Sequence, residues 1–388
     1  MPRFHVAWGS GPEVVRVFAE PVKAAEEKGL VEFKFRHVVD DLVVDETSGR
    51  VVGVKGRVLE PDDSPRGVKS SRTAVDTFEF GGAAVLITSG GIGGNVEAVK
   101  AAWPVDRLGP RIPENFVVGV PDHVDGRMIG IAEAAGAHVV NRDRMWHYTE
   151  GLNNWNPIWP GHGIRILPAP SSLWLDATGK RLPPFLFPGS DTLATLKHIC
   201  ATGYDYTWFI LNRKIIAREF ALSGSEQNPD VTNKSVWLFL ARIFGSKGTA
   251  AVQNFVKHGR DFVVRDTLEE LVAGMNELGA QSGGPVLDYE QIREVVAVRD
   301  GQVDNSYSKD AQVMLIRNAR NYVRDDRPVS LEANMLTRRL TSGRIASAAW
   351  RRPTACSTRR PALSSRYGST SSPGRHWAAS RQIWAAML

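Results

Sequence analysis

The first part of the chain combines a helical pattern with several short strand patterns. Apolar residues recur at helical spacing across residues 14–25, and Pro12 stands near the predicted start of this helix. Alternating apolar and polar residues at 31–37 predict a half-buried strand. Further short strands are predicted at residues 42–44, 51–58 and 73–80. Together these elements predict a small sheet with a helix beside it.

An apolar run at residues 83–88 ends in a glycine-rich turn, residues 89–95. An uninterrupted apolar run bounded by turn residues predicts a strand buried on both faces, against which the small sheet would close. Four glycines within five positions let the backbone approach a bound group closely. Because Val96 replaces the last glycine of a GxGxxG fingerprint, the spacing alone leaves cofactor contact and an ordinary glycine-rich turn equally open.

Aromatic and charged side chains concentrate at residues 146–165. This segment holds three tryptophans, a tyrosine, two histidines and an arginine, with almost no regular period. The pattern predicts an irregular loop that lines a pocket, and aromatic packing at a domain junction is the alternative.

Helical patterns also follow the glycine-rich turn, and residues 194–303 are predicted to be mostly helical. Helices are predicted at 96–102, at 128–136 and over most of 194–303, with strands at 207–211 and 262–264. Asp266 or Thr267, followed by Glu269 or Glu270, predicts a capping box at the start of a helix.

These motifs resemble those of the flavoprotein family that includes fumarate reductase and 3-ketosteroid Δ1-dehydrogenase. The glycine-rich turn resembles that family's second nucleotide-contacting turn, and the resemblance covers residues 3–323. It implies an α+β fold, in which an incomplete FAD-binding domain of α/β type is joined to a mixed α+β cap domain. The implied boundaries are 1–146 for the FAD-binding domain, 147–325 for the substrate cap and 326–388 for a disordered or nonnative tail.

The resemblance implies FAD as the cofactor and assigns its contacts. The implied contacts are Val38, Val39, Ser89, Gly90, Gly91, Gly93, Gly94, Asn95 and Asp125. For Val38 and Val39, which would follow the first strand, plain strand core is the alternative. The family carries an acid in a GDG motif, and this acid is displaced here to Asp125. Asp125 as the flavin neighbour, Arg127 in its place, and an aspartate that caps a helix all remain open.

The resemblance also implies the reaction, in which two hydrogens are removed from or added to a C–C bond next to a carbonyl. A hydride passes to the flavin, while a tyrosine or a histidine takes the proton. His147 and Tyr148 align with a substrate-binding motif of fumarate reductases, and together with Arg165 they are the predicted catalytic residues. The proton-donating arginine of fumarate reductases has no counterpart at 183–191. This proline-rich, apolar stretch favours an apolar carbonyl or steroid-like substrate, and the electron acceptor stays unknown.

The net charge of +6 comes from the end of the chain. Residues 331–388 hold ten arginines, no lysine and one acidic residue, so the preceding residues carry a net charge of −3. The composition of this tail is that of a G+C-rich gene translated out of frame, and no nucleic-acid partner is expected. A basic tail whose tryptophans stack on bases is the minor alternative.

Other features bound the class of protein. No apolar segment approaches twenty residues, so no membrane span is expected, and the start of the chain does not resemble a signal peptide. Cys200 and Cys356 are too few for a disulfide framework or a metal site, which favours a cytoplasmic protein without a bound metal. An inactive fragment or a noncatalytic binding module, without the GxGxxG pyrophosphate site, is the alternative to an active dehydrogenase.

Overall fold

The computed structural model describes residues 8–65, 67–167, 171–245, 247–317 and 377–386. Helices and two separate sheets are both present in these ranges, so the predicted α+β class is confirmed. The helices are α1 (Pro12–Glu27), α2 (Val96–Ala101), α3 (Val105–Leu108), α4 (Arg127–Ala134), α5 (Thr192–Ala201), α6 (Arg213–Arg218), α7 (Pro229–Thr232), α8 (Val236–Phe244), α9 (Ala250–His258), α10 (Leu268–Ala280) and α11 (Tyr289–Asp304). The strands are β1 (His37–Val44), β2 (Val51–Leu59), β3 (Ala74–Gly81), β4 (Phe116–Val118), β5 (His147–Asn153), β6 (Gly163–Leu167), β7 (Leu173–Asp176), β8 (Tyr206–Asn212), β9 (Ala221–Leu222), β10 (Phe262–Arg265) and β11 (Trp377–Ala386).

The smaller sheet is an antiparallel meander of β1, β2 and β3. The strands predicted at 51–58 and 73–80 are confirmed as β2 and β3. The strand predicted at 31–37 is wrong, because Arg36 adopts a φ of 62° and the chain turns there before β1 begins. Val38 and Val39 therefore lie inside β1 and do not form a turn after a strand.

The apolar run at 83–88 is not the buried strand that its sequence predicts. It has no strand pairing in the described part of the chain, and the side chain of Leu86 is 89% exposed. A strand buried on both faces needs a neighbour on each face, and β3 ends at Gly81 before the run begins. The apolar composition is real, but no described element covers it.

Helix α1 confirms the first predicted helix, with Pro12 in its first turn. Its start contacts α7 and the residues that follow α7: the Gly9 amide donates to the Val231 carbonyl over 2.8 Å, and Glu13 forms an ion pair with Lys234. The rest of its apolar face is exposed, as at Phe18, which is 71% exposed.

The larger sheet holds the main core. Its strands follow the order β7-β8-β11-β5-β6-β9, and β4 and β10 also pair with β11. Every residue of β8 is buried, and Trp174, Trp208 and Phe209 lie in the centre of the core. The Trp174 indole donates to the Thr207 hydroxyl over 2.9 Å, so a buried polar group in this core is satisfied.

Residues 146–165 are not the irregular loop that was predicted. They form β5 and β6, which pair antiparallel and are joined by a loop at 154–162. The strand period was hidden because neighbouring elements cover both faces of β5, and five consecutive residues from Thr149 onward are buried. A doubly covered strand shows no alternation of apolar and polar residues.

Local signals elsewhere are reproduced. Thr267 and Glu270 form the predicted capping box of α10, each side chain accepting the backbone N–H of the other residue. The strands predicted at 207–211 and 262–264 are confirmed as β8 and β10.

Most of the tail predicted from residue 326 lies outside the described residues. Residues 377–386 are described, and they form β11 between β8 and β5. A strand can pair through its backbone amides and carbonyls alone, so an aperiodic sequence is able to fill this position.

No helix in the described ranges has both the length and the apolar character of a membrane span. The same ranges contain no group of three or more histidine, cysteine or acidic side chains placed to hold a metal ion. Cys200 is buried, and burial raises the pKa of its thiol to about 11, so the thiol stays protonated at neutral pH.

Candidate functional site

A groove of about 830 Å³ lies beside the glycine-rich turn. Gly91 and Asn95 of the turn line it on one side, and Asp125 and Arg127 at the start of α4 line it on another. Trp103 also lines the groove. The glycine-rich turn and the start of α4, which are about thirty residues apart in the chain, therefore meet around one concave surface.

Hydrogen bonds hold the glycine-rich turn against the start of α4. The Asn95 side-chain oxygen caps α2 by accepting the Ala98 amide over 3.1 Å, and its side-chain nitrogen contacts the Asp125 carbonyl over 3.4 Å. The Gly94 amide donates to the Val124 carbonyl over 2.8 Å. The second half of the turn is thus fixed by hydrogen bonds to α2 and to the residues before α4.

Two glycines are required by this packing. A Cβ atom at Gly94 would collide with the Pro121 carbonyl oxygen, and one at Gly126 would lie 2.5 Å from Ile92. Gly126 also has a φ of 79°, in the left-handed region. Part of the glycine content that suggested a cofactor therefore serves close approach of two protein segments.

Asp125 forms an ion pair with its near neighbour Arg127. The Asp125 carboxylate accepts the Arg127 amide over 3.0 Å and the side-chain Nη2 over 2.6 Å. The hydrogen bonds from Arg127 hold the pKa of Asp125 below its ordinary value, although burial acts in the opposite direction. Gly126 is the N-cap of α4, so Asp125 is not the capping residue itself but accepts the first N–H of the helix.

The predicted FAD contacts divide into two groups. Gly91, Asn95 and Asp125 line the groove. The others do not line it: Val38 and Val39 lie in β1, Ser89 and Gly90 in the exposed start of the turn, and Gly93 and Gly94 in its packed second half. Helix α4 contacts β1, which places the two valines on the same side of the molecule as the groove.

A second cluster lies on β5 and β6. The Arg165 guanidinium lies over the ring of Tyr148, with its Cζ atom 3.8 Å from the ring centroid. Arg165 also forms an ion pair with Glu150 over 3.5 Å, and their side chains are only 12% and 3% exposed. The other oxygen of Glu150 accepts the Gly189 amide over 3.2 Å.

An extra residue in β5 brings Tyr148 to this cluster. Opposite β11, two steps along β11 correspond to three steps along β5 between Tyr148 and Gly151. Such a bulge places Tyr148 on the same face as Gly151, whose partner in β6 is Arg165. Without the bulge, the period of two would put Tyr148 and Arg165 on opposite faces.

His147 points to a different environment. Its ring packs edge-to-face against Trp103, with 5.2 Å between centroids. Burial, reinforced by the charge of Arg107, lowers the pKa of His147 to about 4. The imidazole is therefore neutral at physiological pH, so it offers no charge to a substrate carboxylate. The structure joins Tyr148 to Arg165 and places His147 beside the groove.

Glu150 was missed in the sequence. A signal was available, because Glu150 is the only acidic residue and Arg165 the only arginine between residues 145 and 165. A second missed pair is Arg181 and Asp310, which bond over 2.5 Å and 3.1 Å and join the turn after β7 to the segment that follows α11.

The groove and the Tyr148 cluster fit a flavoprotein, and the comparisons define its class. The chain matches the model of the FAD binding domain family over residues 1–357, so it belongs to that family, and the resemblance drawn from its motifs is confirmed. FAD is the cofactor that this domain family binds.

The chain is similar to particular steroid dehydrogenases. It is 56% identical over 325 residues to a KsdD-like steroid dehydrogenase of Mycolicibacterium smegmatis, a match that covers 84% of this chain and 57% of that protein. It is 54% identical over 327 residues to one of Mycobacterium tuberculosis, covering 84% of this chain and 56% of the relative. The chain thus spans about half the length of the curated relatives it matches.

Among solved structures, the chain is similar to 3-ketosteroid-Δ4-(5α)-dehydrogenase of Rhodococcus jostii RHA1. The identity is 17% and the TM-score 0.38, over 75% of this chain and 45% of that chain. An open conformation of a flavocytochrome c3 fumarate reductase gives 13% identity and a TM-score of 0.47, over 99% of this chain and 46% of that chain.

Proposed function

We propose that this chain is part of an FAD-dependent dehydrogenase that acts on a C–C bond next to the carbonyl of an apolar, steroid-like molecule. Family membership supports the cofactor. The names of the two mycobacterial relatives support a steroid as the substrate class.

The observation that carries the proposal is the contact between the Tyr148 cluster and residues 183–191, called here the apolar loop. Glu150 holds this loop through the Gly189 amide, and Phe187 anchors it in the core at 5% exposure. Phe185 in the same loop is 69% exposed and offers an apolar surface, and Tyr148 of the cluster offers a hydroxyl. An apolar ring system with one carbonyl matches that combination of surfaces.

The groove is suited to part of a flat, polar cofactor. Its volume of about 830 Å³ is in the range of ligand sites, and Gly91, Asn95 and Arg127 offer backbone approach, an amide and a cation. These residues, with Asp125, would hold FAD. When bound, FAD supplies the acceptor for a hydride.

Tyr148 would donate its hydroxyl hydrogen bond to the substrate carbonyl oxygen or take the proton from the adjacent carbon. The planar Arg165 guanidinium on its ring restricts the ring's orientation, which keeps the hydroxyl in one position. His147, which is neutral, would act as a hydrogen-bonding group beside the groove.

A dye-linked assay of the FAD-supplemented protein tests the proposal. Oxidation of a 3-ketosteroid is expected to exceed oxidation of succinate. Tyr148→Phe is expected to lower kcat by about 100-fold or more, the usual contribution of a positioned acid or base. Tyr307→Phe is the matched control, since Tyr307 is 90% exposed and far from β5 in sequence. Efficient succinate oxidation, or full activity of Tyr148→Phe, would contradict the proposal.

One observation favours a second candidate, a noncatalytic binding module. Residues 83–90 have little cover from described elements, and flavin would have to order them on binding. Calorimetric titration with a ketosteroid, with and without FAD, separates the two. A noncatalytic module binds the steroid without FAD and shows no turnover when FAD is added.

A further inference from the structure

The positive charge of Arg165 is already paired with a carboxylate inside the protein. Arg165 and Glu150 form a pair with little access to water, and Arg165 is in direct contact with the Tyr148 ring. An arginine in this position would otherwise be the natural partner of a substrate carboxylate, because its planar guanidinium binds carboxylates in a bidentate manner.

We propose that Glu150 determines the substrate class of the Tyr148 site by occupying Arg165. The carboxylate of Glu150 stands where a substrate carboxylate would bind, so the site admits neutral carbonyl compounds and rejects acids. This inference rests on the proposed function, because it explains which substrates reach Tyr148.

The physical reason is a balance of like and unlike charges. An incoming carboxylate near Arg165 meets the buried Glu150 carboxylate at close range, and burial makes the repulsion between like charges strong. The incoming carboxylate would also lose its hydration without gaining a cation to pair with. A ketone carries no charge, and the repulsion does not apply to it. The Glu150 carboxylate therefore repels acidic substrates and leaves neutral ones unaffected.

Glu150 also holds the apolar loop, and the two roles need to be separated. One carboxylate oxygen accepts the Gly189 amide, and the other faces Arg165. Glu150→Ala removes both contacts. Glu150→Gln keeps an oxygen for the Gly189 amide but loses the negative charge, so only the pairing with Arg165 is weakened.

The test measures binding of propionate to the flavin-free chain and needs no turnover. Propionate at 100 mM is expected to raise the thermal midpoint of Glu150→Ala by roughly 3 °C relative to sodium chloride of equal ionic strength, because the shortened side chain vacates the position beside Arg165. Glu150→Gln removes the negative charge but still fills that position, so it is expected to give a smaller shift. Wild type is expected to shift by less than about 1 °C, because Glu150 already occupies Arg165. The double variant Glu150→Ala with Arg165→Gln is the matched control and is expected not to respond.

The outcomes are distinct. If Glu150→Ala is folded and does not respond, or if the double variant responds equally, the proposal is overturned. If Glu150→Ala does not fold alone, refolding from urea with and without propionate gives the same answer, since a carboxylate that binds Arg165 restores the folded yield. If Glu150→Ala responds to propionate but the protein binds no steroid, the inference about Glu150 and Arg165 is supported. The same result contradicts the proposed function.

Discussion

His147 shows at the scale of one residue how position changes chemistry. The histidine looks like a cationic ligand for a carboxylate, yet it lies against Trp103 and near Arg107. Both the low dielectric and the neighbouring cation disfavour the imidazolium form. A neutral imidazole can still accept or donate a hydrogen bond, which suits a neutral carbonyl better than an acid.

The lowered pKa of His147 predicts a pH dependence of stability. The unfolded chain binds a proton at this residue below pH ~6.5, whereas the folded chain binds it only near pH 4, so the free energy of unfolding falls as the pH drops through this window. The loss is up to about 3 kcal/mol. His147→Phe keeps a ring on Trp103 and is expected to remove this part of the slope in urea titrations at pH 7, 5.5 and 4.5. Replacing the exposed His123 with glutamine is the control, and equal slopes for wild type and His147→Phe would refute the prediction.

Asp310 gives a second prediction at this scale. Burial, the largest single cause, acts to raise its pKa, but the hydrogen bonds from Arg181 and the Val313 amide together with the charges of Arg181 and Arg299 outweigh it, so the pKa of Asp310 lies below its ordinary value. Its contribution to stability is complete above pH ~4 and is lost at lower pH. Asp310→Asn is expected to cost about 1–3 kcal/mol in urea unfolding, because it leaves Arg181 poorly paired. Glu290→Gln, in an exposed pair with Arg293, is expected to leave the urea midpoint nearly unchanged, and equal effects of the two variants would argue against a special role for Asp310.

At the scale of elements, the glycine-rich turn and the start of α4 act as one unit. Asn95 joins them, and Gly94 lets the two backbones meet. The groove depends on this contact, since residues from both segments line it. Replacing a glycine at this contact is therefore expected to lower stability, whereas replacing a glycine of α4 away from the contact is not.

Two alanine substitutions test this point. Gly94→Ala is expected to destabilise the chain by about 1–3 kcal/mol, because the new Cβ atom meets the Pro121 carbonyl. Gly130→Ala in α4 has no atom within 4 Å of its new Cβ and is expected to stabilise by up to about 1 kcal/mol. Thermal unfolding of both variants is the measurement. A Gly94→Ala variant as stable as wild type would show that the turn does not pack against residues 121–124.

At the scale of the whole molecule, the two sheets differ in how well they are covered. The larger sheet encloses a continuous core, whereas every residue of β3 but one is exposed, and Phe18, Phe35 and Leu86 in the same part of the chain are exposed as well. The part of the chain that would contact FAD therefore has less of its apolar surface buried. Binding there has to provide the free energy for ordering as well as for contact.

Weak FAD binding follows for this chain. A titration of FAD fluorescence with the purified protein is expected to give a dissociation constant well above about 1 μM, because ordering residues 83–90 opposes binding. Free riboflavin, which lacks the nucleotide, is the comparison for contacts made by the turn. A protein that purifies yellow with one flavin per chain would refute the prediction.

The sequence by itself determined the elements whose signals are local. Helix α1, the capping box of α10 and strands β2, β3, β8 and β10 follow from period, proline position and side-chain capping, which act within a few residues. Motifs also led to the family, to FAD and to the region of the glycine-rich turn. These inferences need no knowledge of which segments become neighbours.

Only the tertiary structure decided what depends on neighbours. The apolar run at 83–88 is exposed because no described strand lies beside it, and β5 escaped detection because both of its faces are covered. Strand register and a bulge decide that Glu150 pairs with Arg165. They also decide that the side chains of His147 and Tyr148 enter different environments. A one-residue change in register moves a side chain to the other face of a sheet, and local sequence does not specify which register long-range pairing selects.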